Sequence, residues 1–459
     1  MAPEFLSDVT GSADSGSYVH AVGSALPAMF RAAIVLALSV PAQPQSWADV
    51  DAVLENAVTT RVFPCAAALV VNATTGSIIY SRAVGNLVYA DSPSPPFNNG
   101  TNPEANTSTT LFDMASLSKI IGPTTVAALL FESGDLDLDE RISSAALLGP
   151  EYSTAGKDNI TVRLLLLHAA GFPPDPVPSF NSLSFSCPNS NSPHPALDFS
   201  CAEAILAAVY NQTLASAPGS VYLYSDLSMI TLLLALGRYL HLFKPAWAPA
   251  SRAGPVCEAA LNAGAPPAVQ YICAFHAFWR VNVSAAIGFS DATGYLPAAP
   301  WAAAPTWLDT DYRFEQLQGV VSDENSYASG GIAGHAGIFS SGDDAARFLA
   351  AWSPSGRSGF LSAETIELFT TRPNIPPGSP RALGWSTEAD SYAGCAPMPV
   401  NTAYHTGYTG TQLCLGTEYA TLLLSARVFP NKTGSVESIH ETRQAFNAAV
   451  AKVLVSGGV

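Results

Sequence analysis

Charge is what this 459-residue sequence has least of. Asp, Glu, Lys and Arg together make up 12% of it, about half the usual globular share, and only five residues are lysine. With 20 basic against 36 acidic residues, the formal charge is −16. So few scattered cations exclude a nucleic-acid binder, which needs clustered Lys and Arg, and a basic helix on an anionic membrane. The apolar stretches of the body are too short to cross a bilayer, so no membrane span is expected. No Cys-x-x-Cys pair occurs among the seven cysteines, which argues against structural zinc. Apolar residues are plentiful at 48%, ample for the core of one large domain or two to three ordinary ones.

Residues 1–28 read as a polar extension expected to be disordered. Residues 29–42 follow a secretory leader pattern: Arg31, the apolar run Ala32–Val40, then small residues up to Ala42. Asn72, Asn99, Asn106, Asn159, Asn211, Asn282 and Asn431 each begin Asn-x-Ser/Thr, which agrees with a secreted or endomembrane-lumen glycoprotein. Local spacing suggests disulfides Cys187–Cys201, Cys257–Cys273 and Cys395–Cys414, leaving Cys65 unpaired in a predicted strand.

A hairpin opens the folded part, with strands at Ala66–Asn72 and Ser77–Val84 around Ala73-Thr74-Thr75-Gly76. Residues 91–109 read as a loop, and the chain turns helical from Leu111 to Glu132. Helices are expected at Ala202–Tyr210 and Leu227–Leu242, whereas 245–270 is Ala/Pro-rich and poorly periodic. Ser341-x-x-Asp344 has the form of a helix-opening capping box. Strands return at Tyr404–Tyr408, Gln412–Leu415 and Ala420–Val428, before a final helix at about Val436–Val453. The expected fold is α/β (α+β): one antiparallel sheet built from both termini, flanked by helices, with a mostly helical lobe inserted. The folded domain would run over 50–455, with its sheet lobe at about 50–110 and 328–455 and its helical lobe at about 111–327. A cleft then forms where lobe meets sheet.

Three stretches could carry chemistry. Ser116-Leu117-Ser118-Lys119 puts a hydroxyl and an amine on one helix face. A serine is a weak nucleophile until a neighbour takes its proton, and a desolvated lysine can do so. Lysine is scarce in this chain, and Lys119 sits amid Met114, Ala115, Ile120 and Ile121. Tyr222-Leu223-Tyr224-Ser225-Asp226 offers a phenol that can act as general base beside a lysine, although aromatics before a helix commonly pack and Asp commonly caps. His405-Thr406-Gly407 lets a substrate lie against a strand, and the N–H after Gly407 can serve as an oxyanion donor. His168 and His335 read as satisfied structural histidines. Asp323-Glu324-Asn325 reads mainly as a turn, and the glycines at 330–337 match no phosphate loop.

In this order and spacing the three stretches resemble the serine β-lactamase and penicillin-binding-protein-like hydrolases, nearest the class C β-lactamase and esterase branch, whose pattern is Ser-x-x-Lys, Tyr-x-Asn and Lys/His-x-Gly. The flanks Phe112–Ala115, Thr161–Gly171 and Gly319–Ser340 agree. The resemblance implies Ser116 as acylated nucleophile, Lys119 taking or steering its proton, and Tyr224 as general base and then acid. It implies Asp226, His405, Thr406 and Gly407 as substrate contacts, and the backbone N–H groups of Ser116 and Tyr408 as oxyanion hole. It further implies a small-molecule ester or amide substrate, with neither metal nor cofactor. Three departures stand out. Asp226 replaces Asn, cannot donate a hydrogen bond when ionised, and favours substrates offering a donor such as an amine or hydroxyl. His405 replaces Lys and would make carboxylate binding pH-sensitive. Gly122-Pro123 should kink the nucleophile helix one turn beyond Lys119. The two readings are a secreted serine hydrolase (esterase, peptidase or β-lactamase-like) and a binding protein that has kept the fold without turnover.

Overall fold

The computed structural model describes residues 47–93, 100–185, 187, 197–356, 358–387, 394–399 and 402–457. The leader expected at 29–42, the extension before it and the sequon at Asn99 lie outside these residues. The strands are β1 (Cys65–Asn72), β2 (Ile78–Gly85), β3 (Phe112–Asp113), β4 (Gly294–Tyr295), β5 (Leu308–Asp309), β6 (Glu315–Gln316), β7 (Ile338–Ser340), β8 (Ala403–Thr406), β9 (Gln412–Leu415) and β10 (Tyr419–Ser425). The main sheet is antiparallel in the order β2-β1-β10-β9-β8, so an N-terminal hairpin is joined to a C-terminal meander where Ala66 faces Ser425 and Asn72 faces Tyr419. This is the sheet expected from both termini. Two smaller sheets, β3-β7-β4 and β5-β6, were not foreseen, because strands of two or three residues carry no periodicity to read.

β1 is buried on both faces, and its side chains divide by the period of two. Ala66, Ala68 and Val70 pack against the terminal helices Ala48–Thr59 and Val436–Gly457, through Val50, Leu54, Phe446 and Val450. Ala67, Leu69 and Val71 face the large core shared with the central helices. Cys65 is buried among them, and burial pushes its thiol up to about 12, so it is a small apolar packing group. The helix Asp226–Phe243 is long and apolar enough to cross a bilayer, yet Leu227–Gly237 are buried throughout, which identifies it as the central core helix.

The Ala/Pro-rich stretch expected to be irregular forms two helices, Pro255–Asn262 and Pro267–Trp279. Each starts with proline in its first turn, where the missing N–H has no helical partner to lose. Disulfides join Cys187 to Cys201, Cys257 to Cys273 and Cys395 to Cys414, with Cα separations of 5.7, 5.4 and 6.0 Å, as the spacing suggested. Ser341 caps the helix Gly342–Ala351 by accepting from the Asp344 N–H.

The segment after Leu111 begins as β3 and a single 3₁₀ turn at Ala115–Leu117, not as continuous helix. The kink expected at Gly122-Pro123 takes the form of a widened π turn over Ile120–Thr124, leading into the helix Thr125–Glu132. The carbonyls freed there find other donors. Ile120 O accepts from Thr125 Oγ1 at 2.6 Å, and Ile121 O accepts from the Trp279 indole at 2.9 Å. The Trp279→Phe variant should therefore leave a buried carbonyl unpaired and lose about 1–3 kcal/mol in urea denaturation. Unchanged stability would show that the indole bond does not support the turn.

Candidate active site

Three segments hold the nucleophile. The buried Asp113 carboxylate accepts from the backbone N–H groups of Ala115 and Ser322, each at 2.8 Å. Ala115 adopts a left-handed φ of 46°, so the chain turns sharply just before Ser116. The Met114 N–H bonds Ile338 O at 2.9 Å, and Ser118 Oγ accepts from Ile338 N–H at 3.1 Å. From the other side, Thr409 Oγ1 donates to Asp113 O at 2.6 Å and Thr411 Oγ1 to Met114 O at 3.1 Å. Gly407 is required by this approach: a Cβ there would stand 2.6 Å from Met114 O and 2.0 Å from Thr411 Oγ1. The end of β8 is thereby pressed against the residues that precede Ser116.

Lys119 is fully buried. Its Nζ lies 2.9 Å from Ser116 Oγ, 3.0 Å from His335 O and 2.7 Å from Asp226 Oδ1. The Tyr224 ring centroid is 5.0 Å from the same nitrogen. The structure thus brings together Ser116, Lys119, Tyr224 and Asp226 from distant stretches. Ser116, Tyr224, His405, Thr406, Gly407 and Tyr408 all line one cleft of about 530 Å³. Tyr224 packs against the His168 ring, tilted by 31° with the centroids 4.5 Å apart. His168 Nδ1 in turn accepts from the Ser225 N–H at 3.1 Å.

The surroundings of Lys119, Asp226 and His405 bear on the roles expected of them. Burial alone would depress the Lys119 amine, but the Asp226 carboxylate and Tyr224 outweigh it and hold the ammonium up to about 12. Lys119 therefore faces Ser116 Oγ as a charged donor, an arrangement suited to steering its proton. Asp226 Oδ1 stands 2.7 Å from that ammonium as its ion-pair partner, so its charge is matched within the protein before any substrate binds. His405 is neutral far below its ordinary range, through burial first and then the positive charges of Arg381 and Lys119, so it brings no pH-sensitive cation to the strand. Its Nδ1 lies 2.9 Å from Thr406 O and donates to it, which leaves Nε2 as a buried acceptor.

Sequence reasoning missed Arg381. It sits on a tight turn whose Ser386 bridges the edge strand at Tyr404, and whose Gly384 N–H bonds Leu166 O at 2.9 Å. Its guanidinium lies 4.9 Å from the Tyr224 ring centroid. The residues Arg381–Trp385 form no recognisable motif, and only the buried Trp385 beside a positive-φ Gly384 marks the turn. On the far side of Lys119, ligand atoms of Asp226, Asp323 and His335 lie within 4.8 Å of one another. Such a set suits a divalent cation, but here Lys119 already meets Asp226, and His335 Nε2 bonds Asp323 at 2.8 Å. Burial opposes charge on this last pair, yet each partner favours the other's ionised form, so the Asp323 carboxyl is lowered and the His335 imidazole raised.

Residues 50–240 match the β-lactamase family. A protein of Escherichia coli (strain K12) that carries the name D-alanyl-D-alanine carboxypeptidase is 26% identical over 338 residues, which span 66% of this chain and 66% of that protein. The fold recurs in EstCE1, described as a hydrolase with promiscuous acyltransferase activity, at 21% identity and TM-score 0.60 over 88% of this chain and 99% of that one. It recurs also in LovD, the simvastatin synthase of Aspergillus terreus, at 15% identity and TM-score 0.58 over 89% and 98%. With the sheet, the Ser-x-x-Lys turn and the tyrosine already placed, these matches give the class: residues 50–240 carry a β-lactamase family domain, and the chain shares the fold of serine hydrolases that include carboxypeptidase- and esterase-named proteins.

The buried histidines predict how stability depends on pH. Burial, helped by nearby cations, keeps His168, His276 and His405 below their ordinary value, with His276 at about 3. In the unfolded chain each titrates near 6.5, so below that pH the unfolded state binds about three extra protons and stability falls with acidification, by up to ~1.4 kcal/mol per pH unit per histidine. His335, raised in the fold, acts on the other limb: its contribution is complete below about pH 6.5 and is lost as pH rises through the folded value. Tm should peak near neutrality, and the His276→Phe variant should flatten the acid limb. An acid limb unchanged by that substitution would contradict the assignment.

Proposed function

We propose that this chain is a secreted serine hydrolase that cleaves an ester or amide by two-step acyl transfer to water. The observation that carries the reading is the 2.9 Å contact between Lys119 Nζ and Ser116 Oγ on the floor of an open cleft, with Tyr224 beside it. The Lys119 ammonium donates to Ser116 Oγ and stabilises negative charge as the oxygen attacks a carbonyl carbon. Tyr224, acting as a phenolate, takes the serine proton and becomes a neutral phenol, with the Lys119 and Arg381 cations 5.0 and 4.9 Å from its ring centroid as counter-charges to the anionic form. The phenol then returns the proton to the leaving alkoxide or amine. Water attacks the acyl-serine with Tyr224 again as base, and Ser116 is regenerated. The N–H groups of Ser116 and Tyr408 serve as oxyanion donors, a role supported by the press of β8 against residues 114–115.

Secretion is supported by the three disulfides, which persist in oxidising compartments, and by the leader pattern at 29–42. Asn106, Asn159, Asn211 and Asn431 are exposed and suited to carry glycans. Asn282 is not: it is buried, and its amide donates to Phe278 O at 3.1 Å.

A fluorophosphonate probe should give one adduct, on Ser116, that disappears in Ser116→Ala. Tyr224→Phe should slow labelling about 10²–10⁴-fold, the usual scale of general-base catalysis. A folded protein without an adduct on Ser116 would favour a binding protein on the same fold.

A further inference from the structure

The final helix, Val436–Gly457, reaches the cleft through a buried cation that takes part in no proton transfer. Arg443 is 2% exposed, and its Nη2 donates to Thr411 O at 2.9 Å and to Gly407 O at 3.3 Å. One terminal guanidinium nitrogen carries two N–H groups, so it can serve both carbonyls at once. The same two carbonyls close the turn between β8 and β9. There the Gly407 N–H bonds Thr411 O at 2.7 Å, and the Gly410 N–H bonds Gly407 O at 3.1 Å. The Arg443 stem is held in place by Gly394, where an added Cβ would stand 2.6 Å from Arg443 Cβ.

Gly407 O belongs to the peptide unit that also carries the Tyr408 N–H. In a trans peptide the two groups point to opposite sides, so this N–H faces away from the final helix. Among the described residues it meets no acceptor. A charge-assisted bond to the carbonyl of an amide strengthens its N–H as a donor, as bonds in a chain polarise one another.

We infer that Arg443 is a positioning residue for the oxyanion hole: it fixes and polarises the Gly407–Tyr408 peptide, which readies the Tyr408 N–H for the oxygen of the tetrahedral intermediate. The inference deepens the hydrolase reading and rests on it for the acylation that the hole serves. Arg427, also on the cleft wall, differs: its Nη1 donates to Thr433 O at 3.0 Å and holds the loop before the final helix. Because Arg443 acts through a peptide, a substrate without charge feels its effect in full.

The test therefore uses 4-nitrophenyl acetate, a neutral ester. Arg443→Gln should slow acylation of Ser116 about ten-fold with KM nearly unchanged, a part of the ~10²–10³-fold that loss of a whole oxyanion donor costs. Arg443→Lys should keep most of the rate. Gly-Tyr occurs only at 294–295 and 407–408, so ¹³C′-glycine and ¹⁵N-tyrosine labelling isolates the peptide beside an internal reference. In Arg443→Gln the Gly407 ¹³C′ and Tyr408 amide ¹H signals should move upfield while those of Gly294–Tyr295 stay. In whichever of the two variants folds, the size of that move should follow the loss of rate. A carbonyl signal that moves without loss of rate, or a slower reaction with that signal unmoved, overturns the inference. Wild-type protein whose Ser116 takes no acyl group would defeat the hydrolase reading alone. The two signals would then decide this inference by themselves: moved in Arg443→Gln they support it, and unmoved they refute it.

Discussion

The contact between Lys119 and Asp226 is the constraint on which the rest of the site depends. A fully buried ammonium is tolerable only with a charge partner and satisfied donors, and Lys119 has Asp226, Ser116 and the carbonyl of His335. Those three partners belong to the start of the central helix, the nucleophile turn and the glycine-rich segment before β7. One side chain thereby ties together three regions that are far apart in sequence. Removing Asp226 leaves an uncompensated charge in the interior, which typically costs about 3–5 kcal/mol. In the proposed mechanism the same pairing sets the roles: a lysine kept charged steadies the serine oxygen, and Tyr224 is the base.

Close backbone approach is the second constraint. Gly407 lets the end of β8 reach the Met114 carbonyl, and Gly334 lets its segment reach the central helix, where an added Cβ would stand 1.9 Å from Met229 O. Neither position admits a side chain without moving backbone on both sides of the cleft. Asp113, bonded to two N–H groups, fixes the turn between these walls, and the left-handed Ala115 aims Ser116 into the opening. The turn carrying Arg381 is tied to the edge strand by the Ser386–Tyr404 bridge and to the core by the buried Leu383 and Trp385.

Much of this was legible in the residues. The hairpin, the central helix, the final meander and the cysteine pairs follow from alternation, apolar periodicity and spacing. Ser116, Lys119 and Tyr224 stand out because residue types that can act together occur in order. The helices at 255–279 were hidden because Ala and Pro dilute the apolar stripe, while prolines in the first helical turn read as breakers although they start helices. The protonation state of Lys119 was hidden because it depends on a distance between positions 119 and 226 that no local pattern encodes. Arg381 was hidden for the same reason: a lone arginine acquires meaning only when a fold sets it against a tyrosine from another segment.

The account stands or falls on the charge of Lys119. The ¹⁵N chemical shift of its Nζ in lysine-labelled protein, followed from pH 6 to pH 10, reads that charge directly. The predicted result is an ammonium signal unchanged across the range, because the Asp226 carboxylate keeps the proton on Lys119. An Nζ that titrates to the free amine near pH 7 or 8 would contradict it, and would return the role of base from Tyr224 to Lys119.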